Sequence, residues 1–323
     1  MSKPKVVVTR RWPEAVENHM KELFDVQLNV DDVPMNADQL REAFQTADAV
    51  CPTVSDKISA EVMNVDNMKA KVIGNFGVGF NHIDVDAAKA NSLVVTNTPE
   101  VLTDCTADTA MTLMLMTARR AGEGERHVRN KEWTGWRPTH MMGTKVTGKK
   151  LGLIGFGRIA QAMAHKSHFG FGMKIYFYDP YPPSEEVINK FGATQCDTVE
   201  EVLSQVDFVT LHCPGGGSNS NLMNAERFAI MKDSAILINT ARGDVVDEPA
   251  LVEALKTGVI KAAGLDVFAK EPQVTEELLG MDNVVLLPHL GSATLDTRIA
   301  MGMRVVENLN AFFAGEPPRD RVV

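Results

Sequence analysis

Two glycines and a later acid are spaced as they would be to bind the phosphates and ribose of a dinucleotide. An apolar run, Lys150–Ile154, leads into the turn Gly-Phe-Gly-Arg-Ile-Ala at 155–160 and then into a helical pattern. Gly155 permits a tight turn and Gly157 lets the main chain approach a pyrophosphate, which the N–H groups of the helix N-terminus can bind. The next strand-like run ends at Asp179, 22 residues after Gly157, close to the spacing of a ribose contact.

The acid at the end of this run also bears on the choice of coenzyme. Asp179 should accept hydrogen bonds from the ribose hydroxyls and repel a 2′-phosphate at the same place. The following residues, Pro180–Pro183, include no Arg or Lys to offset that repulsion. We therefore expect NAD(H) in preference to NADP(H). The alternative, a structural glycine turn with a capping aspartate, does not by itself account for the full order of strand, turn, helix, strand and acid.

Polar residues follow three later strand-like or apolar runs. The segments concerned are Asn239–Gly243, Gly264–Pro272 and Leu287–Thr294. Because the carboxyl ends of parallel strands meet at one edge of a sheet, we expect the three segments to converge on one crevice.

Short β-branched runs alternate with helix-length amphipathic stretches, a pattern typical of parallel sheets with crossover helices. The strand-like runs are Lys5–Thr9, Ala49–Pro52, Lys71–Asn75, Leu93–Thr96, Lys150–Ile154, Lys174–Asp179, Asp207–His212, Ala235–Asn239 and Val284–Leu287. They form two clusters separated by residues 99–149, where Thr103 or Asp104 can cap a long helix. We predict two α/β domains: residues 1–98, completed by a returning helical stretch within 290–323, and residues 99–289.

Composition and charge exclude several other classes of protein. The chain has 323 residues, and its formal net charge of −9 disfavours nucleic acid and anionic lipid as partners. Its longest apolar stretch, 110–118, is interrupted by threonines and falls short of the ~20 residues of a membrane span. The N-terminus lacks a signal-like apolar segment, so we expect a cytoplasmic location. Four cysteines without a CxxC pair predict neither a metal site nor a disulfide framework.

These segments together are similar to those of the D-isomer-specific 2-hydroxyacid dehydrogenase family, over nearly the whole chain. Besides the glycine turn, the resemblance rests on four segments: NFGVGFNHID at 75–84, TARGDVVDEPAL at 240–251, GLDVFAKEP at 264–272 and LPHLGSAT at 287–294. It implies two Rossmann-like, doubly wound parallel-sheet domains with the active site in the cleft between them. The first domain would bind substrate and the second would bind NAD.

The resemblance assigns Arg242, Glu271 and His289 as the catalytic set, and their chemistry agrees. Reducing a 2-oxo acid requires a hydride donor, which a nicotinamide supplies, and a proton donor for the oxygen. An imidazole titrates near neutral pH and a neighbouring carboxylate can hold it protonated. The guanidinium of Arg242 offers a rigid fork of donors to the substrate carboxylate. Each residue alone has an ordinary structural explanation, but the joint pattern favours the catalytic one.

Further contacts are implied by the same resemblance. Main-chain N–H groups around Val78 and Gly79 would bind the substrate carboxylate, although the glycines there could equally serve a tight turn. Asp266 would contact the nicotinamide amide, and Thr106 would lie near the cofactor or simply cap a helix. The full set of expected cofactor residues is Thr106, Gly155, Gly157, Arg158, Ile159, Asp179, Cys213, Pro214, Thr240, Ala241, Asp266, His289 and Gly291.

The loop at 132–138 bears on substrate choice. It resembles the glyoxylate/hydroxypyruvate reductase branch, in which a loop tryptophan of the neighbouring subunit narrows the substrate pocket; Trp136 would be that residue here. Alternatively, Trp133 and Trp136 only pack a dimer surface. We predict a homodimer that reduces glyoxylate and hydroxypyruvate with NADH. The alternatives are another D-2-hydroxyacid dehydrogenase, such as D-3-phosphoglycerate dehydrogenase, or an NAD(H)-sensing corepressor on the same scaffold.

Overall fold

The computed structural model describes residues 2–323 and divides the chain into two compact units. Unit 1 comprises Met1–Leu102 and Ala293–Val323, and unit 2 comprises Thr103–Ser292. The boundaries predicted from the sequence, 98/99 and 289/290, lie a few residues earlier in each case. Both units are α/β, as the alternating pattern predicted.

Unit 1 is built on a five-stranded parallel sheet in the order β2-β1-β3-β4-β5. Its strands are β1 (Lys5–Val8), β2 (Asp25–Gln27), β3 (Ala49–Cys51), β4 (Val72–Gly74) and β5 (Val94–Thr96). Apart from the edge strand β2, which reads Asp-Val-Gln, the strands are apolar along most of their length, as expected for a sheet covered on both faces. Val7, Val50, Ile73 and Val95 belong to one buried core cluster with Phe44.

Five helices belong to unit 1. They are α1 (Glu14–Leu23), α2 (Ala37–Thr46), α3 (Ala60–Met63), α4 (Val85–Ala90) and the C-terminal helix Leu295–Phe313. The C-terminal helix packs closely on β4, because an ideal Cβ on Gly74 would lie 2.7 Å from Val305. Its Gly302 likewise lies against Val16 of α1. No helix within residues 2–323 combines the length and the apolar character needed to cross a bilayer.

Unit 2 contains a seven-stranded parallel sheet in the order β12-β11-β10-β9-β6-β7-β8. Its strands are β6 (Lys150–Ile154), β7 (Lys174–Tyr178), β8 (Thr194–Gln195), β9 (Phe208–Leu211), β10 (Ile236–Asn239), β11 (Ala262–Leu265) and β12 (Val284–Leu286). Alternate residues of β10 enter different cores: Leu237 belongs to one cluster, and Ile236 and Ile238 to another. The sheet is therefore covered on both faces, as in a doubly wound fold.

The helices of unit 2 begin with the long helix predicted between the two strand clusters. They are α5 (Thr103–Ala118), α6 (Ala121–Arg129), α7 (Arg158–His165), α8 (Glu185–Lys190), α9 (Val199–Gln205), α10 (Ala225–Ile230), α11 (Glu248–Lys256) and α12 (Glu276–Leu279). A π-helical turn, Lys166–Gly170, extends α7. The apolar residues of α5 at helical spacing are buried at Ala107, Ala110, Met111 and Met114, and Leu115 is partly buried. A second, polar helix, α6, lies between α5 and the loop at 132–138.

Three strands were absent from the predicted set, each for a physical reason. Two of them, β2 and β8, are three and two residues long and lie at sheet edges. The third, β11, reads Ala-Ala-Gly-Leu and lacks the β-branched residues that signal a strand. Its small side chains admit α5, because a Cβ on Gly264 would lie 2.8 Å from Thr117 Oγ1 and 3.1 Å from Leu113 Cβ.

Candidate active site

Most of the predicted site residues of unit 2 follow the carboxyl ends of parallel strands. Gly155 follows β6, Asp179 follows β7, Cys213 comes shortly after β9, and Thr240 and Asp266 follow β10 and β11. These strands are neighbours in the sheet, in the order β11-β10-β9-β6-β7. The sheet therefore presents these residues along one edge, on either side of the β9–β6 switch point, where α/β folds bind ligands.

The glycine turn has the geometry that a dinucleotide requires. Gly155 has φ +87, and an ideal Cβ on it would lie 2.9 Å from the main-chain N of Cys213 and C of His212. A side chain is therefore excluded by both conformation and space. A Cβ on Gly157, in contrast, would meet no heavy atom within 4 Å, so the main chain there is open to the approach of a ligand.

The start of α7 is suited to an anion. Gly157 is the N-cap residue and provides no side-chain cap, and the first turn carries no acid. Arg158 and Ile159 begin the helix, so their main-chain N–H groups belong to the first turn, which is unpaired within a helix. Nearby in the sheet, the buried Thr240 Oγ1 has no hydrogen-bond partner among the residues described. The turn and this hydroxyl thus fit the pyrophosphate and polar groups of a nicotinamide dinucleotide.

Asp179 is held firmly at the end of β7. Its Oδ2 accepts a hydrogen bond from the main-chain N of Phe156 at 2.6 Å, and its Oδ1 accepts one from the N of Tyr181 at 2.8 Å. The carboxylate is thereby tied to the glycine turn itself. Its negative charge occupies a fixed place beside the anion-binding turn.

His289 and Glu271 form the central pair of the site. His289 Nδ1 lies 2.8 Å from Glu271 Oε2, and the two side chains are 31% and 35% exposed. The other oxygen, Glu271 Oε1, accepts a hydrogen bond from the main-chain N of Phe268 at 3.1 Å. A carboxylate on Nδ1 favours the tautomer or the charged form with a proton there, so Nε2 is left as the ring nitrogen that can face a substrate.

The main chain at His289 adopts a left-handed conformation that Asp266 stabilises. His289 has φ +55, which costs a non-glycine residue of order 1 kcal/mol or more. The buried Asp266 accepts hydrogen bonds from Leu290 N at 2.6 Å and Gly291 N at 2.8 Å, and its carbonyl accepts one from His289 N at 2.9 Å. Burial raises the pKa of the Asp266 carboxyl despite these bonds. The predicted contact of Asp266 with a nicotinamide stays a prediction.

Charge around Glu271 keeps this carboxyl ionised. Burial by itself would raise its pKa, but the hydrogen bond and charge of His289, the N–H of Phe268 and the charge of Arg242 together lower it. Burial in turn lowers the pKa of the Arg242 guanidinium, against the opposite effect of Glu271 and Asp244. A guanidinium nevertheless remains charged at any ordinary pH. The carboxylate of Glu271, the imidazole of His289 and the guanidinium of Arg242 thus lie close enough to interact electrostatically.

Arg242 is positioned by a residue that the sequence analysis did not single out. Asn239 is buried at the end of β10; its Nδ2 donates to Arg242 O at 2.9 Å, and its Oδ1 accepts from Ala241 N at 3.0 Å. Arg242 Nη1 donates to Ala241 O at 2.6 Å. The sequence does carry a signal for Asn239: it is a polar amide at the end of a buried apolar strand, and such a group must form hydrogen bonds within the fold.

Asp244 fixes the glycine-rich loop after Pro214 in the same way. Its Oδ2 accepts a hydrogen bond from Gly216 N at 2.6 Å. A Cβ on Gly215 would lie 2.4 Å from Asp244 Oδ1 and 2.9 Å from Arg242 Cβ. The loop therefore packs directly on the arginine, and only glycine fits at 215.

The remaining predicted residues of unit 2 differ in how far they are buried. Thr106 of α5 is buried beside Gly291, since a Cβ on that glycine would lie 3.4 Å from Thr106 Cγ2 and 3.3 Å from Asp266 Oδ2. Cys213 is partly buried, and burial raises the pKa of its thiol to about 11. Trp136, in contrast, is 82% exposed, in the irregular segment after α6.

Val78 and Gly79 lie in unit 1, on the loop after β4. Asn75 Nδ2 donates to the carbonyls of Gly77 and Gly79 at 3.1 and 3.0 Å, and Asn97 Nδ2 donates to Val78 O at 2.8 Å. These amides fix the direction in which the loop carbonyls point. Gly77 has no positive φ, so a left-handed conformation is not the reason for glycine at that position. Substrate binding by this loop stays a prediction.

The chain is similar to known proteins over most of its length. Residues 111–291 match the family model described as D-isomer specific 2-hydroxyacid dehydrogenase, NAD binding domain. A glyoxylate reductase of Pyrococcus furiosus is 42% identical over 320 residues, which cover 98% of this chain and 94% of that protein. A glycerate dehydrogenase of Hyphomicrobium methylovorum is 37% identical and is matched over 98% of both chains.

A solved structure is similar over the whole length. It is the NADPH-dependent glyoxylate/hydroxypyruvate reductase of Sinorhizobium meliloti in complex with NADP and malonate. It is 34% identical, with a TM-score of 0.88, covering 100% of this chain and 97% of that one. The coenzyme in that structure carries the 2′-phosphate that Asp179 was expected to repel here.

Proposed function

Because the chain belongs to the D-isomer-specific 2-hydroxyacid dehydrogenase family, we propose that it reduces the small 2-oxo acids glyoxylate and hydroxypyruvate to glycolate and D-glycerate. The observation that carries the proposal is the pairing of His289 Nδ1 with Glu271 Oε2 at 2.8 Å. This pair provides a proton donor on the same unit as the dinucleotide turn. The similar proteins are named as reductases and dehydrogenases, and these names do not favour the alternative function of an NAD(H)-sensing corepressor.

The proton transfer follows from the geometry of this pair. A dihydronicotinamide held by the glycine turn and Asp179 would supply the hydride for the carbonyl carbon. The oxygen then gains negative charge, and the imidazolium of His289 donates the proton from Nε2 while Glu271 stabilises the charged ring through Nδ1. In the reverse direction, the neutral ring accepts the hydroxyl proton. Arg242 binds the substrate carboxylate with its fork of N–H donors and orients the carbonyl.

A coenzyme oxidation assay tests the activity. Purified protein is mixed with NADH and glyoxylate, hydroxypyruvate, pyruvate or phosphohydroxypyruvate, and the loss of NADH absorbance is followed. We expect the highest kcat/KM with glyoxylate or hydroxypyruvate. A preference for phosphohydroxypyruvate would favour a 3-phosphoglycerate dehydrogenase, and no turnover with any of the four acids would refute the proposal.

The proposal includes a preference for NADH. Its support is the carboxylate of Asp179, fixed by Phe156 N and Tyr181 N next to the turn, where it would repel a 2′-phosphate. The same assay with NADPH should give a kcat/KM about tenfold or more below that with NADH, equivalent to ~1.4 kcal/mol. Asp179→Ala should reduce this ratio. A wild-type protein that prefers NADPH, as the Sinorhizobium meliloti relative does by name, would overturn the assignment.

A homodimer in the cytoplasm completes the proposal. Trp136 and Trp133 are 82% and 54% exposed, as is expected of aromatic side chains that meet a partner surface. Cys51, Cys196 and Cys213 are free thiols within the described residues, in keeping with a reducing compartment. Analytical ultracentrifugation should show a dimer. Trp136→Ala should raise kcat/KM for larger 2-oxo acids relative to glyoxylate; an unchanged ratio would leave this tryptophan with a packing role only.

A further inference from the structure

A buried carboxylate outside the catalytic set braces the segment that carries Glu271. Glu248, the first residue of α11, is only 7% exposed. It is not the cap of that helix, because the side chain of Asp247 accepts the capping hydrogen bond from Ala250 N. Burying a carboxylate is costly unless hydrogen bonds compensate it. A specific set of donors must therefore account for its position.

Both donors come from the segment 268–275. Glu248 Oε1 accepts a hydrogen bond from Ala269 N at 2.7 Å, and Oε2 accepts a short one from the hydroxyl of Thr275. The two bonds lie on either side of Glu271 in the chain. One carboxylate thus ties together the two ends of the loop whose middle residue pairs with His289.

The same loop also lies against the turn that follows Arg242. An ideal Cβ on Gly243 would lie 1.9 Å from Phe268 C and 2.4 Å from Ala269 N, so the two backbones are in direct contact. Within the loop, Gln273 N donates to Lys270 O at 2.8 Å. Glu248 is five residues from Gly243 and extends this contact to the far end of the loop. The position of Glu271 relative to Arg242 is thereby set from one side.

We propose that Glu248 and Thr275 are positioning residues, which hold Glu271 at hydrogen-bonding distance from His289. This inference rests on the proposed function, in which the paired imidazole donates the proton. Four charged groups surround this pair or each other: the charge of His289 acts to lower the pKa of Glu271 and of Asp266, Arg242 acts to lower the pKa of Glu271, and Asp244 acts to raise the pKa of Arg242. If the brace is lost, Glu271 moves away from the ring and the imidazolium loses its carboxylate.

The decisive variants are Thr275→Val, which removes the hydroxyl at nearly constant volume, and Thr275→Ser, which retains it. Thr257→Val is the matched control, because that threonine is exposed at the end of α11 and donates only to Glu253 O. For Thr275→Val we expect kcat with glyoxylate to fall about fivefold or more with an unchanged Kd for NADH, since about 1 kcal/mol of hydrogen bonding is lost. Thr275→Ser and Thr257→Val should stay within about twofold of wild type. Glu248→Gln should behave as Thr275→Val does.

A proton NMR spectrum separates this inference from the proposed function, because it needs no turnover. The hydrogen-bonded Nδ1–H of His289, identified by its loss in His289→Gln, should give a downfield signal in wild type and in Thr275→Ser that is lost or broadened in Thr275→Val. The wild-type signal in Thr275→Val would overturn the brace, even if the variant melts at a lower temperature. Absence of wild-type turnover would refute only the proposed function.

Discussion

Substitution of Glu271 by Gln changes the charge on His289 with little change in shape. In the wild type, Glu271 Oε2 receives the Nδ1 hydrogen bond and Oε1 receives the N–H of Phe268. A glutamine offers one acceptor oxygen and one NH2 group, so it cannot accept both bonds. Either a main-chain N–H loses its partner or the ring faces a second donor. In both cases the imidazolium form loses its carboxylate.

The size of the effect follows from the distance and the exposure of the pair. A hydrogen bond that involves a charged group contributes about 1.5–3 kcal/mol. Because the two side chains are 31% and 35% exposed, solvent screening reduces this to about 1–1.5 kcal/mol. Because each 1.36 kcal/mol corresponds to a tenfold change in rate, kcat/KM for glyoxylate reduction should fall about tenfold.

The assay is kcat/KM for glyoxylate with saturating NADH, measured at one pH near neutrality. Glu271→Gln should fall about tenfold below wild type with an unchanged Kd for NADH. Glu253→Gln, a change at an exposed carboxylate of α11, is the control and should stay within about twofold of wild type. If Glu271→Gln keeps the wild-type kcat/KM, the carboxylate does not stabilise the proposed proton donor and the reasoning is refuted.

Three further changes test the support of the site. Gly215→Ala places a Cβ 2.4 Å from Asp244 Oδ1, and the resulting overpacking of ~1–3 kcal/mol should raise KM for the oxo acid about tenfold. Gly280→Ala is the control, because a Cβ there meets nothing within 4 Å. Equal KM values for the two variants would contradict the packing argument. Asn239→Ala leaves buried backbone groups unpaired and should cost ~1–3 kcal/mol, seen as a lower Tm and a higher KM; a wild-type Tm would contradict it. The partners of Glu271 lower the pKa of its carboxyl in the folded protein. The stability that the ionised Glu271 contributes is therefore present above its unfolded pKa of ~4.3 and is lost as pH falls through its folded pKa. The Tm difference between wild type and Glu271→Gln should therefore shrink at acid pH, and a difference that grows would contradict the sign.

Local chemistry made the dinucleotide turn predictable. Only glycine can adopt the φ of +87 at Gly155 with Cys213 N so close, so this turn can be recognised in the sequence. Helix α5 can also be recognised, because the spacing of its apolar residues matches its buried face. Strand β11 could not be recognised, because its small residues allow α5 to pack closely and have low β propensity.

The supports of the site were beyond sequence reasoning for another reason. Glu248 follows a helix cap, where an acid is ordinary, and nothing local shows that it is buried against Thr275. Asp266 likewise holds main-chain groups 24 and 25 residues further along the chain. Such partners are set by tertiary contact, so the family pattern predicts candidate reacting groups but gives no information on their supports.

The proton-donating role of His289 is tested most directly by His289→Gln, with NADH binding and glyoxylate turnover measured on the same preparation. We predict an unchanged Kd for NADH and a kcat lower by about 10²- to 10⁴-fold, the usual contribution of a positioned acid. A variant that binds NADH and turns over glyoxylate as fast as wild type would contradict the account.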